Sequence, residues 1–104
     1  MAFSHHTLIA YQVALEVSRS LRLRRPAPKD KDLMATITAT MDRATMNIAR
    51  ARTYDGTQRA QLYREAMADA AAAHAGLDIL ETVGSPRIQN RLDRLGSILY
   101  KLSR

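Results

Sequence analysis

Met34, Ile37, Met41, Ala44 and Ile48 follow one another at spacings of 3, 4, 3 and 4, and that alternation admits few folds. A repeat averaging 3.5 residues keeps one apolar stripe on one side of a helix, the pattern of a helix lying along a nearly parallel neighbour in a bundle. The rhythm returns in Leu62, Ala66, Ala70, Ala73, Leu77 and Leu80, at 4, 4, 3, 4 and 3, and in Ile88, Leu92, Leu95, Leu99 and Leu102, at 4, 3, 4 and 3. An earlier segment, from about Ser4 to Arg25, carries Leu8, Tyr11, Leu15 and Leu21 on one side and Ile9, Val13 and Val17 on a second. Two apolar faces on one helix point to more than one neighbour. No stretch alternates with the period of two that marks a strand.

The breaks between these segments are chemically explicit. Pro26-Ala27-Pro28 stops the first helix, since each proline lacks a donor N–H and disfavours helix in the residue before it. Asp30 or Asp32 is placed to cap the second helix, which the pattern carries to about Tyr54. Asp55-Gly56-Thr57 reads as a turn, with Gly supplying a positive φ and Thr57 an N-cap for a third helix running to about Thr82. Gly84-Ser85-Pro86 combines a C-terminal cap, an N-cap and a proline at the first helical position of the fourth. Four helices joined by short loops predict an all-α fold, an antiparallel up-down four-helix bundle occupying 1–104 as one domain.

The core available to this bundle is thin. Aromatic residues are 5% of the chain and Trp is absent, so Leu, Ile, Met and many Ala must fill the interior. Small helical domains of this kind gain stability by burying more surface against copies of themselves, and a homo-oligomer is expected. The chain has no cysteine, which removes disulfides, thiolate catalysis and Cys-ligated metals. Met1-Ala2-Phe3-Ser4-His5-His6 lacks the regions of a signal peptide, and the longest apolar run, around Ala70 to Ala73, is too short for a bilayer. The sequence therefore reads as a soluble, cytoplasmic protein with no membrane partner.

Catalytic patterns are missing. The Glu-x-x-His signature of carboxylate-bridged metal bundles does not occur. His74 has Asp78 one turn later, but one His and one Asp are not a ligand set. His5 and His6 are adjacent and point apart on a helix. Glu65 with Asp69, and Asp78 with Glu81, read as solvated helix faces. With no phosphate loop, nucleophile elbow or Ser/His/Asp constellation, neither an enzyme nor a metal or cofactor site is expected.

The charge is more coherent. The formal net charge is +6 with a pI near 10.3, and Arg supplies most of it. Its planar fork of donors suits phosphate, although a GC-rich genome favours Arg codons too. Residues 1 to 54 hold nine Lys/Arg against four Asp/Glu, and residues 55 to 104 hold seven against six. Arg43, Arg50 and Arg52 cluster beside Tyr54, with Asp42 as their only nearby acid in sequence. Arg22 and Arg25 close the first helix, where the macrodipole alone favours cations. Arg87, Arg91, Arg94 and Lys101 share the outer side of the fourth, where any amphipathic helix carries charge. These arginines are the candidate nucleic-acid contacts; salt bridges at subunit boundaries, for example to the acidic third helix, are the competing use.

Several short motifs carry a resemblance. Leu8-Ile9-Ala10-Tyr11-Gln12-Val13-Ala14 is similar to the opening Leu, aromatic-Gln, Ala pattern of the small four-helix bundle proteins encoded in intervening sequences of ribosomal RNA genes. Their relatives are the accessory variability determinant proteins of diversity-generating retroelements. Asn47-Ile48-Ala49 resembles the family's central Asn-Ile-Ala motif, and Tyr63 to Ala70 occupies the place of its third-helix aromatic and small-residue motif. Arg50 and Ala51 stand where the family continues with Glu and Gly, and alanine-rich sequence replaces its third-helix Gly-Ser and Glu. The resemblance implies a ring-like homo-oligomer, a pentamer, and in the retroelement branch a basic surface that binds nucleic acid and a reverse transcriptase. The exchange of acid for base at Arg50 places the chain nearer that branch. The expectation is a non-enzymatic basic accessory protein that binds RNA or DNA. The alternative is a homo-oligomeric protein-interaction module without a nucleic-acid role.

Overall fold

The computed structural model describes residues 5–80 and 85–104. Among these residues every regular element is helical: α1 (His5–Arg22), a single 3₁₀ turn at Pro28–Asp30, α2 (Lys31–Ala51), α3 (Gly56–Leu80) and α4 (Ser85–Leu102). Each helix packs on two others in the cycle α1–α2–α3–α4–α1, so α1 faces α3, and α2 faces α4, across the diagonals. The body measures 45 × 20 × 19 Å. That is about the length of a 25-residue helix at 1.5 Å per residue plus its ends.

The heptad stripes of α2, α3 and α4 are the core. Met34, Ile37, Met41, Ala44 and Ile48 are buried together with Leu62, Ala66, Ala70, Ala73, Leu77 and Leu80, and with Ile88, Leu92, Leu95 and Leu99. On α1 the core takes Ala10, Val13, Ala14, Val17 and Leu21, whereas Ile9, Tyr11 and Leu15 are half-buried and Leu8 is exposed. The side of α1 defined by Leu8, Tyr11 and Leu15 is therefore its margin, and the small residues between the two expected faces turn inward. Small residues do the same on α3: a Cβ on Gly76 would stand 2.6 Å from Ile37 Cγ1. Only glycine lets α2 approach α3 that closely.

Helix ends depart from expectation for local reasons. α1 stops at Arg22, because the N–H groups of Leu23 and Arg24 reach back only three residues, to Ser20 O and Leu21 O at 3.3 and 3.2 Å. α2 stops at Ala51, since Arg52, Thr53 and Tyr54 likewise donate to Ala49, Arg50 and Ala51. Such tighter turns are a usual way to close a helix. Arg59 Nε donates to both Ala51 O and Tyr54 O, at 3.2 and 2.8 Å, and so satisfies carbonyls freed by the turn. Asp30 occupies the cap position of α2 without a side-chain hydrogen bond. Gly56 has φ +56° as the turn requires, but α3 begins there, which puts Thr57 inside the first turn and not at the cap. The proposed cap at Gly84 and the end of α3 near Thr82 fall outside the described residues.

Two buried hydroxyl pairs cross the interior. Thr7 Oγ1 and Tyr63 OH lie 3.1 Å apart, joining α1 to α3. Ser18 Oγ and Thr45 Oγ1, also 3.1 Å apart, join α1 to α2. Thr45 gives its proton to Met41 O at 3.0 Å, so Ser18 is the donor in that pair.

Candidate polyanion-binding surface

The eight candidate arginines do not form one surface. α2 and α4 stand diagonally across the bundle, so the outer faces that carry Arg43 and Arg50 on one, and Arg87, Arg91 and Arg94 on the other, look in different directions.

On the α2 side the arginines are engaged within the chain. Arg43 forks onto Asp69 of α3, Nε to Oδ2 at 3.1 Å and Nη2 to Oδ1 at 2.9 Å, a bidentate geometry that fixes a guanidinium firmly. The hydrogen bond that Arg43 donates to Asp69, and then the negative charge of Asp69, raise the Arg43 pKa above its ordinary value. The acid supplied to Arg43 therefore comes from α3 of its own chain, while Asp42, its sequence neighbour, pairs with Arg22 of α1. Arg50 Nη1 donates to Oδ1 of the buried Asn47 at 3.4 Å. Asn47 follows Thr36, Thr40 and Arg43 and precedes Arg50 and Tyr54 at helical spacing on one polar line of the sequence, and its 7% exposure shows that this member points inward. Arg50 also borders, with Tyr54, Gln61 and Glu65, an open depression of about 430 Å³ at the α2–α3 turn. Arg52 is exposed just past the end of α2.

On the α1–α4 side the cations converge. Arg24 from the end of α1, with Arg87 and Arg91 from the start of α4, lines a cleft of about 300 Å³ whose other walls include Glu16, Ser20 and Leu23. Arg91 pairs with Glu16 across the seam. Arg87 is exposed and has no ion pair or hydrogen bond with a described residue; Arg94, farther along α4, and Arg25, beyond Arg24, share that condition. Among the described residues the cleft thus has Arg24, Arg87 and Arg91 in its walls and Glu16 as its carboxylate, and Arg87 contributes an exposed guanidinium to it. Such an excess of fixed positive charge in a concavity attracts and holds anions. Arg24 stands between Arg22 and Arg25 in the sequence, and its position beside α4 follows only from the tertiary packing. Arg22, one turn from Arg25, faces α2 instead.

His74 sits between two carboxylates, Nδ1 at 3.7 Å from Asp78 and Nε2 at 3.3 Å from Asp93. Asp78 was legible as its neighbour one turn on, whereas Asp93 arrives from α4. Among the described residues no group of three His, Cys, Asp or Glu is arranged to hold a metal ion. No helix of the described residues is long and apolar enough to cross a membrane. No protein-family model matches the chain, and neither the curated proteins nor the solved structures contain a significant match to it.

Proposed function

We propose that this chain is a non-enzymatic, basic accessory protein that binds RNA or DNA through the α1–α4 seam. The observation that carries the reading is the meeting of Arg24, Arg87 and Arg91 around one cleft in which Glu16 is the one acidic wall among the described residues, with Arg25 next to Arg24 and Arg94 three residues beyond Arg91 in the chain. Guanidinium groups there contact phosphates, which position a nucleic acid without reading its sequence, and among the described residues that line the cleft there is no aromatic ring on which a base could stack. Arg43 and Arg50, held by Asp69 and Asn47, serve the bundle first.

The bundle is read as antiparallel and up-down. Partners across each seam support this: numbers rise on one helix as they fall on the next, from Ser18–Thr45 to Arg22–Asp42, and from Arg64–Ser103 to His74–Asp93. Self-association into a homo-oligomer is part of the proposal; the thin, alanine-rich core supports it. A reverse transcriptase as protein partner, and a ring of five copies as the alternative to the two-fold pairing argued below, rest on the resemblance of the sequence motifs.

The rival reading, a protein-interaction module, is favoured by one observation: Met46, Ile79, Leu23 and Tyr100 are large apolar side chains left more than half exposed. Fluorescence anisotropy with a labelled single-stranded RNA and DNA across a salt series separates the two. Phosphate binding gives affinity that falls steeply and linearly in log–log form as salt rises. Undetectable binding at low salt, or affinity insensitive to salt, removes the nucleic-acid reading and leaves the module.

A further inference from the structure

We infer that the groove between α3 and α4 is where one copy of this chain meets another, the two related by a two-fold axis near Ala71. The inference rests on the self-association proposed above and adds to it a face and a symmetry. The groove encloses about 620 Å³ and is lined by Ala71, His74 and Ala75 on one side and by Gly96, Ser97 and Tyr100 on the other. No described part of the chain fills it.

Gly96 is the first reason to expect an occupant from outside. Glycine weakens a helix interior relative to alanine and persists where something needs the room. At Gly76 the need is internal, because Ile37 fills the space; at Gly96 a Cβ would meet nothing within 4 Å. Nothing described in the folded chain requires a missing side chain in the middle of α4, and the space above it lies in the groove.

The charges then say what the occupant is. Arg64 and Asp78 lie seven residues to either side of Ala71 on α3, each about 10 Å from it along the axis. A second α3 laid along the groove in the opposite direction brings its Arg64 to Asp78 and its Asp78 to Arg64, so each contact is made twice. This is the self-complementarity of a two-fold interface. Both groups can take a further partner: the Asp78 side chain accepts from Gln89 and lies beside His74 but is still 66% exposed, and Arg64, exposed, donates to Gln61 and to Ser103 O without a carboxylate partner among the described residues. The helix that would enter is suited to close approach, since Ala68, Ala71, Ala72 and Ala75 are exposed on its outer side and Ile79 is 70% exposed beyond them.

Light scattering on the full chain, coupled to size exclusion, tests this. The expected mass is twice 11.6 kDa or an even multiple. Gly96→Leu, whose Cβ meets nothing within 4 Å and whose side chain is aimed to fill the groove, is expected to halve that mass while far-UV circular dichroism stays helical. Asp78→Arg and Arg64→Asp are each expected to shift the mass toward the monomer, and the double variant to restore it. A chain that is monomeric at every concentration overturns the self-association reading and this inference together. An oligomer of five copies, or one that Gly96→Leu leaves intact, overturns the inference alone, because five copies cannot all be paired by a two-fold contact.

Discussion

The α2–α3 and α3–α4 seams share a helix and use it in opposite ways. Against α2, the glycine of α3 is filled by Ile37, Asp69 clasps Arg43, and Arg59 ties off the end of α2. Against α4, a glycine stands over open space, two carboxylates share one histidine, and a groove of about 620 Å³ is left. Polar groups pair within the chain on both seams, and the difference lies in the packing, closed over Gly76 and open over Gly96. A helix whose middle is rich in alanine acquires two characters from what lies opposite, and the division separates what holds the fold from what is left for partners.

The glycines give the sharpest contrast. Gly76→Leu forces a branched side chain into the space of Ile37, and overpacking of this kind is expected to lower stability by about 3 kcal/mol or more, read from urea denaturation followed by circular dichroism. Were Gly76→Leu tolerated, the α2–α3 seam would not be the closed one. Gly96→Ala, measured at protein concentrations too low for association, is expected to do the reverse and raise stability by about 0.5–1 kcal/mol, the ordinary gain of alanine over glycine in a helix. A loss there would mean that α4 needs its glycine for internal packing.

Between these lies Tyr63→Phe, which removes the partner of the buried Thr7 hydroxyl at the α1–α3 diagonal and is expected to cost about 1 kcal/mol. The smallest effect is expected from Arg43→Ala. Its guanidinium is largely exposed even though Asp69 holds it, and exposed pairs contribute about 0–1 kcal/mol. Thermal melts of the variant and of Asp69→Ala should differ little from each other, since either removes the same pair.

Much of this division was legible in the chain. Every residue of the 3,4 stripes of α2, α3 and α4 is buried except Leu102, which is half-buried, because a helix in a bundle has one inward side and the spacing states which; Thr45, Asn47, Ala51, Tyr63 and Gly76 are buried beside the stripes. The first helix misled at Leu8, which is exposed, while Ala10 and Ala14 are fully buried; hydrophobicity marks large side chains, and close packing here selects small ones. Asn47 carried no sign of being buried beyond its apolar neighbours. The pairing of arginines was the least legible feature. Arg43 and Asp69 are 26 positions apart, and nothing local distinguishes them from Arg87 or Arg94, which have no described partner; only the meeting of α2 with α3 does so.

That sorting is open to a direct comparison on one assay. Salt titrations of single-stranded RNA binding should be run on the wild-type chain, on Arg87→Ala/Arg91→Ala/Arg94→Ala, and on Arg43→Ala/Arg50→Ala. If the α1–α4 seam meets phosphate, the triple variant loses affinity and its log K against log salt slope becomes shallower by about 2, three contacts at roughly 0.7 each. The α2 double variant then keeps the wild-type slope. A shallower slope in the double variant with no change in the triple would contradict the assignment, and would return the phosphate contacts to α2.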